Sequence, residues 1–312
     1  MTFDPRVTVL MPARNAASSI VRSIVSVLPE FDDAEILVID DRSTDGTADR
    51  ALSIGDRRVR VERARGSGLV DALNQGLEQA RAPLIARADA DDESLPGRLC
   101  HQLEVQRTTG ADLVAGVAFI VFPDGSPVID RVRSTTVKKQ CPGMTSTSLR
   151  IQLHVGSALA HGSVMFRREA VLTAGGYRES MFPAEDYDLW ARMLVQGYSL
   201  VGDAKPVYRY CVSPEGISQQ RSEQQRLKTI EVQRFLDLND RLDDVTFVSA
   251  LRAARIEKSI GGRDHLRAYA EALYRLRSVS KNQRRIKWIG QAVAHIVDPG
   301  LMARVYRRRL LG

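Results

Sequence analysis

The sequence predicts an α/β protein in which a mainly parallel sheet is flanked by helices and followed by a helical extension at the carboxyl end. Two observations support this fold class. Short apolar runs alternate with helical patterns in the amino-terminal part of the chain, which is typical of consecutive βαβ units. From Ser222 onward the pattern is helical with few glycines. A chain of 312 residues is long for one domain, so we expect one main domain with an appendage.

The individual elements follow from hydrophobic spacing and from helix start signals. Each apolar run that predicts a strand is short, and each predicted helix carries its apolar residues on one face. In chain order, the predicted strands are Val7–Met11, Glu35–Asp40, Val59–Val61 and a fourth strand after Pro83. The predicted helices begin after Ser18 or Ser19, at Thr44 or Asp45, at Gly68 and near Pro96, and the third of them ends at Ala80.

Polar residues follow three of these strands, at the point where each strand ends. The first strand leads into Pro12-Ala-Arg-Asn15, the second into Asp40-Asp-Arg-Ser-Thr-Asp-Gly46, and the fourth into Asp89-Ala-Asp-Asp92. In open parallel sheets, ligands bind beyond the carboxyl ends of the strands. We therefore expect the three segments to meet in one crevice.

The third of these segments carries Asp89, Asp91 and Asp92. Carboxylates crowded at the end of a buried strand repel one another unless a cation lies between them. This favours a hard-metal site that holds a diphosphate. The alternative is a solvated acidic turn that caps the helix near Pro96, because aspartate is common at turns and helix starts. The segment alone leaves both readings open.

Six motifs, taken in order, resemble the family 2 glycosyltransferases of the GT-A fold, whose sheet is Rossmann-like. The resemblance runs from residue 6 to about residue 218, and its strength lies in the order of the motifs, since each alone is weak. The matching segments are Val7–Asn15, Val38–Thr47, Ala86–Asp92, His161–Arg168, Gly175–Tyr177 and Glu185–Trp190.

The resemblance implies an inverting, metal-dependent glycosyltransferase. It would move a sugar from a nucleotide diphosphate donor, such as a UDP-sugar, to a saccharide or lipid-linked acceptor in cell-surface polysaccharide synthesis. Asp91 would be the direct ligand of the divalent cation, with Asp89 nearer the ribose and the metal's waters. Mn²⁺ and Mg²⁺ both prefer oxygen ligands, so the sequence does not choose between them. The positions matched to nucleoside binding are Pro12, Arg14, Asp40 and Asp41.

A second acidic pair, Glu185 and Asp186, precedes apolar residues at helical spacing. Taken alone, the pair predicts an acidic first turn that complements the helix dipole. In the resembled family, the aspartate of this pair is the general base that removes the acceptor's proton, and the glutamate is its supporting neighbour. A carboxylate suits this role because it is ionised at neutral pH. One base and one displacement imply inversion at the anomeric carbon.

Two positions depart from the family pattern. Cys211 stands in the closing strand where a histidine near the diphosphate is often found, so Arg209 or the loop 213–218 is the alternative phosphate contact. Arg42 stands where glycine commonly follows the paired aspartates, and it would either alter the turn or add a cation near the donor. His161 is open between a strand-end residue bonded to the backbone and a residue that lines the acceptor pocket.

Charge divides the chain near residue 220. Residues 221–312 hold 20 Lys and Arg against 10 Asp and Glu, which leaves 25 against 28 before them. We predict a catalytic domain at 1–220, whose nucleotide-binding half ends near residue 105, and a basic helical region at 221–312. The apolar and basic residues of 282–312 predict either a peripheral membrane helix or a helix packed on its own domain or in a homodimer.

Composition limits the location and the competing functions. Three cysteines without a CxxC pair indicate a reducing compartment. With no apolar run of membrane-spanning length and no signal peptide pattern, we expect a cytoplasmic protein, free or on the inner face of the membrane.

The sequence also limits the competing functions. A nucleotidyltransferase lacks support, because no glycine-rich, lysine-containing phosphate loop follows the first strand. An inactive nucleotide-sugar-binding subunit stays open, and no nucleic-acid partner is expected, because arginines dispersed among apolar residues are typical of a solvated helix face.

Overall fold

A computed structural model describes residues 5–30, 32–121, 149–150, 153–154, 156–157, 159–212 and 216–239. Within these ranges, eight strands form one sheet in the order β3-β2-β1-β4-β7-β6-β8-β5. The strands are β1 (Val7–Ala13), β2 (Ala34–Asp40), β3 (Val59–Arg63), β4 (Leu84–Arg87), β5 (Glu93–Ser94), β6 (Leu113–Val121), β7 (Val164–Arg167) and β8 (Leu200–Cys211). The helices are α1 (Ile20–Val25), α2 (Thr47–Leu52), α3 (Leu69–Gln79), α4 (Arg98–Thr109), α5 (Arg168–Thr173), α6 (Glu185–Val195), α7 (Ile217–Gln220) and α8 (Ser222–Asn239).

The first half of the sheet is parallel, as predicted. β1 pairs with β2 on one side and with β4 on the other, and β2 pairs with β3. β1 and β2 are buried along their whole length, as expected for strands covered by helices on both faces. The polar residues inside them are paired, because Glu35 accepts hydrogen bonds from Thr8 (2.8 Å) and from Arg60 (2.9 Å). An unpaired buried carboxylate would be costly.

The second half of the sheet mixes both strand directions. β7 is antiparallel to β4 and to β6, whereas β6 is parallel to β8. Since β7 runs against β4, with Ala86 opposite Met165, the residues that precede β7 lie beyond the carboxyl end of β4. A short 3₁₀ helix at His161–Ser163 is thereby brought next to the aspartates that follow β4.

One helix start agrees with the sequence prediction and one differs from it. Helix α1 begins at Ile20, directly after Ser19, although the Ser19 side chain caps no backbone N–H of that helix. The prediction that Thr44 or Asp45 begins the next helix is wrong, because α2 begins at Thr47. Gly46 takes the N-cap position there with a left-handed φ of 84°, a conformation that glycine adopts without steric cost.

Helix α8 follows the predicted boundary and packs against α6. Its Val232 and Leu236 are buried in the same core cluster as Trp190 of α6. Residues 240–312, where the membrane or dimer helix is predicted, lie outside the described residues, so the division near residue 220 stays a prediction. In the described part of the chain, no helix has the length and apolarity needed to cross a membrane.

Candidate functional site

The carboxyl edge of the parallel strands brings the three polar segments together. β2, β1 and β4 are neighbours in the sheet, so their ends lie side by side. Backbone hydrogen bonds continue past the strands, since the amide of Asp41 donates to Ala13 (2.8 Å) and that of Ala88 to Leu10 (3.0 Å). The alternation of strands and helices in the sequence predicts this meeting point correctly.

Arg87, the last residue of β4, is a buried cation at this edge that the sequence prediction missed. Its side chain is 3% exposed, and its Nη1 forms an ion pair with the carboxylate of Asp89. Burial opposes the charge of the guanidinium, but the attraction of Asp89 outweighs it and raises the pKa of Arg87. The backbone carbonyl of Arg87 accepts a hydrogen bond from Arg98 Nη2 (2.7 Å). The signal in the sequence was a charged residue within an otherwise apolar strand.

Asp89 is held through its main chain as well as its side chain. Its amide donates to the hydroxyl of Tyr208, a buried residue of β8 (2.7 Å). The Tyr208 ring lies beside the guanidinium of Arg98, which is 4.9 Å from the ring centroid. The position of Asp89 therefore depends on a strand more than a hundred residues further along the chain.

Asp91 and Asp92 are crowded by negative charge. Burial, followed by the charge of Asp89, raises the pKa of Asp91 to about 6. Burial and the charges of both other aspartates raise the pKa of Asp92 to about 9. Asp92 Oδ1 accepts a hydrogen bond from the amide of Cys211 (2.7 Å). Helix α4 has a glycine at its N-cap position, so the reading of this segment as a solvated helix cap is wrong.

The second acidic pair begins α6 and lies within electrostatic reach of the same arginine. Glu185 is 5% exposed, and its Oε2 has no hydrogen-bond partner within the described ranges. Burial, then the charge of Asp186, raises the pKa of Glu185 to about 8, and the charges of Arg87 and Asp89 also act on it. Asp186 Oδ1 accepts a hydrogen bond from the amide of Tyr187 (2.7 Å). The two acidic groups thus share one environment around Arg87.

His161 lies in an aromatic cluster beside these carboxylates. Its Nε2 is 2.9 Å from the hydroxyl of Tyr177, so this nitrogen contacts a side chain. Burial and the charge of Arg87 lower the pKa of His161 well below its usual value. Asn74 fixes Tyr177 by accepting from its amide (2.9 Å) and donating to its carbonyl (2.8 Å). Trp190 is fully buried, with its ring centroid 6.1 Å from that of His161, and belongs to the core.

The loops after β1 and β2 carry the residues predicted to bind the nucleoside. Asp41 Oδ2 accepts a hydrogen bond from the amide of Gly68 (2.9 Å) and lies 3.5 Å from Nη1 of the exposed Arg14. Its Oδ1 has no hydrogen-bond partner among the residues that the structure describes. Asp40 is 8% exposed at the end of β2, and Pro12 is buried in β1. The structure places all four in the adjoining ends of these two strands.

The turn after β2 carries an arginine, Arg42, at the position where the family commonly has glycine. Arg42 adopts a left-handed φ of 57°, which is the conformation that glycine would supply. Asp45 accepts hydrogen bonds from the amides of Ala17 (2.9 Å) and Thr47 (3.1 Å). The hydrogen bond from the Thr47 side chain, followed by that from the Ala17 amide, lowers the pKa of Asp45. Asp45 therefore stabilises the turn.

The sequence offers Arg209 of the closing strand β8, or the loop 213–218, as the phosphate contact, and residues 213–215 of that loop lie outside the described residues. Arg209 Nη1 donates to Glu93 on the neighbouring strand β5 (2.8 Å). Burial and the charge of Asp92 raise the pKa of the Cys211 thiol to about 11, so the thiol is protonated at neutral pH. The strand contributes the backbone amide of Cys211 and the hydroxyl of Tyr208 to the acidic cluster instead.

The donor set at this edge fits a hard divalent cation that is bound together with a diphosphate. No group of three Asp, Glu, His or Cys side chains among the described residues is arranged to hold a metal alone. Mg²⁺ needs only one or two carboxylates when phosphates and waters complete its coordination. Burial, and after it the charge of Asp89, raises the pKa of Asp91, and a bound cation would favour the ionised carboxylate that both effects disfavour.

Gly162→Ala is expected to disturb the site through packing alone. A Cβ at position 162 would lie 2.2 Å from the ring of Tyr208, so the ring must move, and with it the hydroxyl that binds the amide of Asp89. We expect a loss of about 1–3 kcal/mol in the free energy of unfolding, as for overpacked cores, and weaker nucleotide binding. Urea unfolding and calorimetric titration with nucleotide measure the two effects.

Gly156→Ala is the matched control for this substitution. A Cβ at Gly156 would meet no atom of the described residues within 4 Å, so the free energy of unfolding should change by less than about 0.5 kcal/mol. Equal effects of the two substitutions would contradict the packing argument.

The chain belongs to glycosyl transferase family 2, whose family model matches residues 8–173. The putative glycosyltransferase EpsE of Bacillus subtilis is 30% identical over 205 residues, which are 64% of this chain and 70% of EpsE. The succinoglycan biosynthesis protein ExoU of Rhizobium meliloti is 34% identical over 204 residues, which are 61% of this chain and 57% of ExoU.

Solved structures support the predicted GT-A fold. Residues 1–349 of S. aureus TarS, solved with UDP, superpose with a TM-score of 0.59 at 16% identity, over 92% of this chain and 87% of that one. The mannosyltransferase PcManGT from Pyrobaculum calidifontis, solved with GDP-Man and Mn²⁺, superposes with a TM-score of 0.59 at 19% identity. The superposition covers 99% of this chain and 86% of PcManGT. At these identities the likeness concerns the fold.

Proposed function

We propose that this protein is an inverting, metal-dependent glycosyltransferase of polysaccharide biosynthesis, which transfers a sugar from a nucleotide diphosphate donor to a saccharide or lipid-linked acceptor. The observation that carries the proposal is the convergence of two acidic groups, Asp89–Asp92 and Glu185–Asp186, around the buried Arg87. One group suits a cation with its diphosphate, and the other suits proton removal from an acceptor. The names of EpsE and ExoU support the reaction class and the pathway.

The acidic cluster after β4 is the proposed diphosphate side of the site. Asp91 would hold Mn²⁺ or Mg²⁺, while Asp89, already paired with Arg87, would lie nearer the ribose. When bound, the cation offsets the charge that develops on the diphosphate leaving group. The nucleoside would lie against Pro12, Arg14, Asp40 and Asp41. Asp41 Oδ1, which has no hydrogen-bond partner among the described residues, is a suitable acceptor for the imide N–H of uracil, and we propose a UDP-sugar as the donor.

The chemical step is proposed as a single displacement. The acceptor hydroxyl oxygen forms a bond to the anomeric carbon as the bond from that carbon to the diphosphate oxygen breaks. Asp186 takes the hydroxyl proton, and the electron pair of the broken bond leaves with the nucleotide. Glu185, with its raised pKa, is the neighbour that shapes the electrostatic environment of the base. Attack from the face opposite the leaving group inverts the anomeric configuration.

The competing functions differ in what they predict for the same residues. An inactive nucleotide-sugar-binding subunit would bind donor without turnover, and both acidic groups would be dispensable for its assembly role.

Contact with a membrane surface or a homodimer through residues 282–312 stays a prediction, because those residues lie outside the described ranges. Flotation with anionic liposomes, with and without residues 282–312, tests the membrane contact.

A donor screen tests the proposed function directly. Thermal unfolding of the purified protein with a panel of nucleotide diphosphate sugars, with and without Mn²⁺, should show one base and sugar that stabilise the protein only when metal is present. A panel that covers uridine and guanosine donors is needed, because TarS was solved with UDP and PcManGT with GDP-Man. Lack of stabilisation by every donor in the presence of metal would contradict the proposal.

The pH dependence of stability is expected to change in Glu185→Gln. The folded protein keeps the Glu185 proton up to a pKa of about 8, whereas the ordinary pKa of a glutamate is 4.5. Between these values the folded state binds more protons than the unfolded state, so the free energy of unfolding falls as the pH rises. Because the amide does not titrate, the variant should gain about 1–3 kcal/mol over the native protein between pH 5 and pH 8.

Urea unfolding in the presence of chelator, at a series of pH values, measures this difference. Glu169→Gln, at an exposed position of α5, is the matched control for the chemical change. A native-minus-variant difference that is constant across the series would contradict the assignment of a raised pKa to Glu185.

A further inference from the structure

The proposed mechanism leaves the buried Arg87, at the centre of the site, without a role. Its charge acts on the pKa values of Asp91, Asp92, Glu185 and His161. Its Nη1 forms an ion pair with Asp89, but neither Nη1 nor Nε has a hydrogen-bond partner among the described residues. A buried guanidinium with a free donor is costly, which suggests a purpose other than stability.

The position of Arg87 opposes the binding of a metal ion to the empty site. A positive charge a few ångströms from a carboxylate cluster repels a second cation, and the repulsion is strong where water is excluded. The ion pair also occupies an oxygen of Asp89 that would otherwise be open to a cation. A donor diphosphate carries negative charge that compensates both effects, and the Nε of Arg87 is a donor suited to an anion.

We propose that Arg87 is a positioning residue that couples the two ligands of the site: it pairs with Asp89 and weakens cation binding until a nucleotide diphosphate is present. This inference rests on the proposed function, because it assumes the cation and the diphosphate. The coupling is reciprocal by thermodynamic linkage. Arg87 therefore prevents tight binding of metal alone and makes nucleotide affinity depend on metal.

Arg87→Met tests this role through metal affinity rather than turnover. Mn²⁺ is titrated by electron paramagnetic resonance into the native protein and the variant, with and without UDP or GDP, at the same neutral to mildly alkaline pH. Without nucleotide, Arg87→Met should bind Mn²⁺ roughly tenfold more tightly than the native protein. The factor by which nucleotide increases Mn²⁺ affinity should fall to a similar extent.

Arg87→Lys, which keeps the charge, should bind Mn²⁺ with nearly native affinity in the absence of nucleotide. A residue with a structural role alone would not tighten metal binding when removed, so unchanged or weaker Mn²⁺ affinity in Arg87→Met overturns the proposal. If Arg87→Met fails to fold, Arg87→Gln is measured instead, with the same expectation.

Two failures are distinguishable. If nucleotide and Mn²⁺ bind to the native protein without affecting each other, the proposed function itself is rejected. If they affect each other equally in the native protein and in Arg87→Met, only the role of Arg87 is rejected.

Discussion

Asp91→Asn is expected to lower turnover by on the order of 10²- to 10³-fold or more. The loss of one electrostatic contact to a charge that develops in the transition state has an effect of this size. The amide keeps the size of the side chain but loses the negative charge that would hold the cation. Nucleotide affinity in the variant should become insensitive to Mn²⁺ and Mg²⁺. Steady-state kinetics with the donor from the screen, together with nucleotide titrations in metal and in chelator, measure both effects.

Asp92→Asn is the control next to it in the chain. With a pKa of about 9, Asp92 is protonated at neutral pH, so an amide imitates its existing state. The Oδ1 that binds the amide of Cys211 is also retained. Metal-dependent nucleotide binding should therefore stay close to native. If Asp92→Asn is as damaging as Asp91→Asn, or if the native enzyme is indifferent to chelator, Asp91 is not the single direct ligand.

The parallel half of the fold was predictable because its signals are local. The runs Val7–Met11 and Glu35–Asp40 are long enough and apolar enough to be buried strands, and strand ends in parallel sheets necessarily share an edge. The acidic cluster follows such a strand directly, so its location needed no knowledge of the remaining chain.

The contacts that give the site its chemistry were not predictable in this way. Asp89 is oriented by Tyr208, and Tyr177 by Asn74, and each pair is separated by more than a hundred residues. These contacts depend on the antiparallel strand β7, whose direction no local pattern reveals. The sequence prediction missed Arg87 as well, although its signal was local. A charge inside an apolar strand must find a buried partner, and the aspartates follow this residue directly in the chain.

The left-handed turn after β2 illustrates a different limit. Arg42 takes a left-handed φ of 57° at the position where the family commonly has glycine. Steric preference makes a positive φ uncommon for arginine but does not forbid it. Because the surrounding turn can impose that conformation, the residue type alone did not predict the backbone conformation here.

Asp186→Asn is expected to separate binding from chemistry. The asparagine keeps the size of the side chain and an oxygen for the amide of Tyr187, but it cannot take up the acceptor's proton. Turnover should fall on the order of 10²-fold or more. Donor affinity and its dependence on metal should stay close to native, because the nucleotide contacts lie at the ends of β1, β2 and β4. Kinetics on the true acceptor and calorimetry with the donor distinguish the two quantities.

Glu185→Gln is the matched comparison for this prediction, because it makes the same chemical change one residue earlier in α6. Glu185 is buried and its pKa of about 8 leaves it largely protonated at neutral pH, which makes it a poor base there. Its loss should therefore be milder than that of Asp186. If Glu185→Gln is the more damaging substitution, the two roles are reversed. A product that retains the anomeric configuration of the donor would exclude the single displacement, since one attack by the acceptor can only invert that centre.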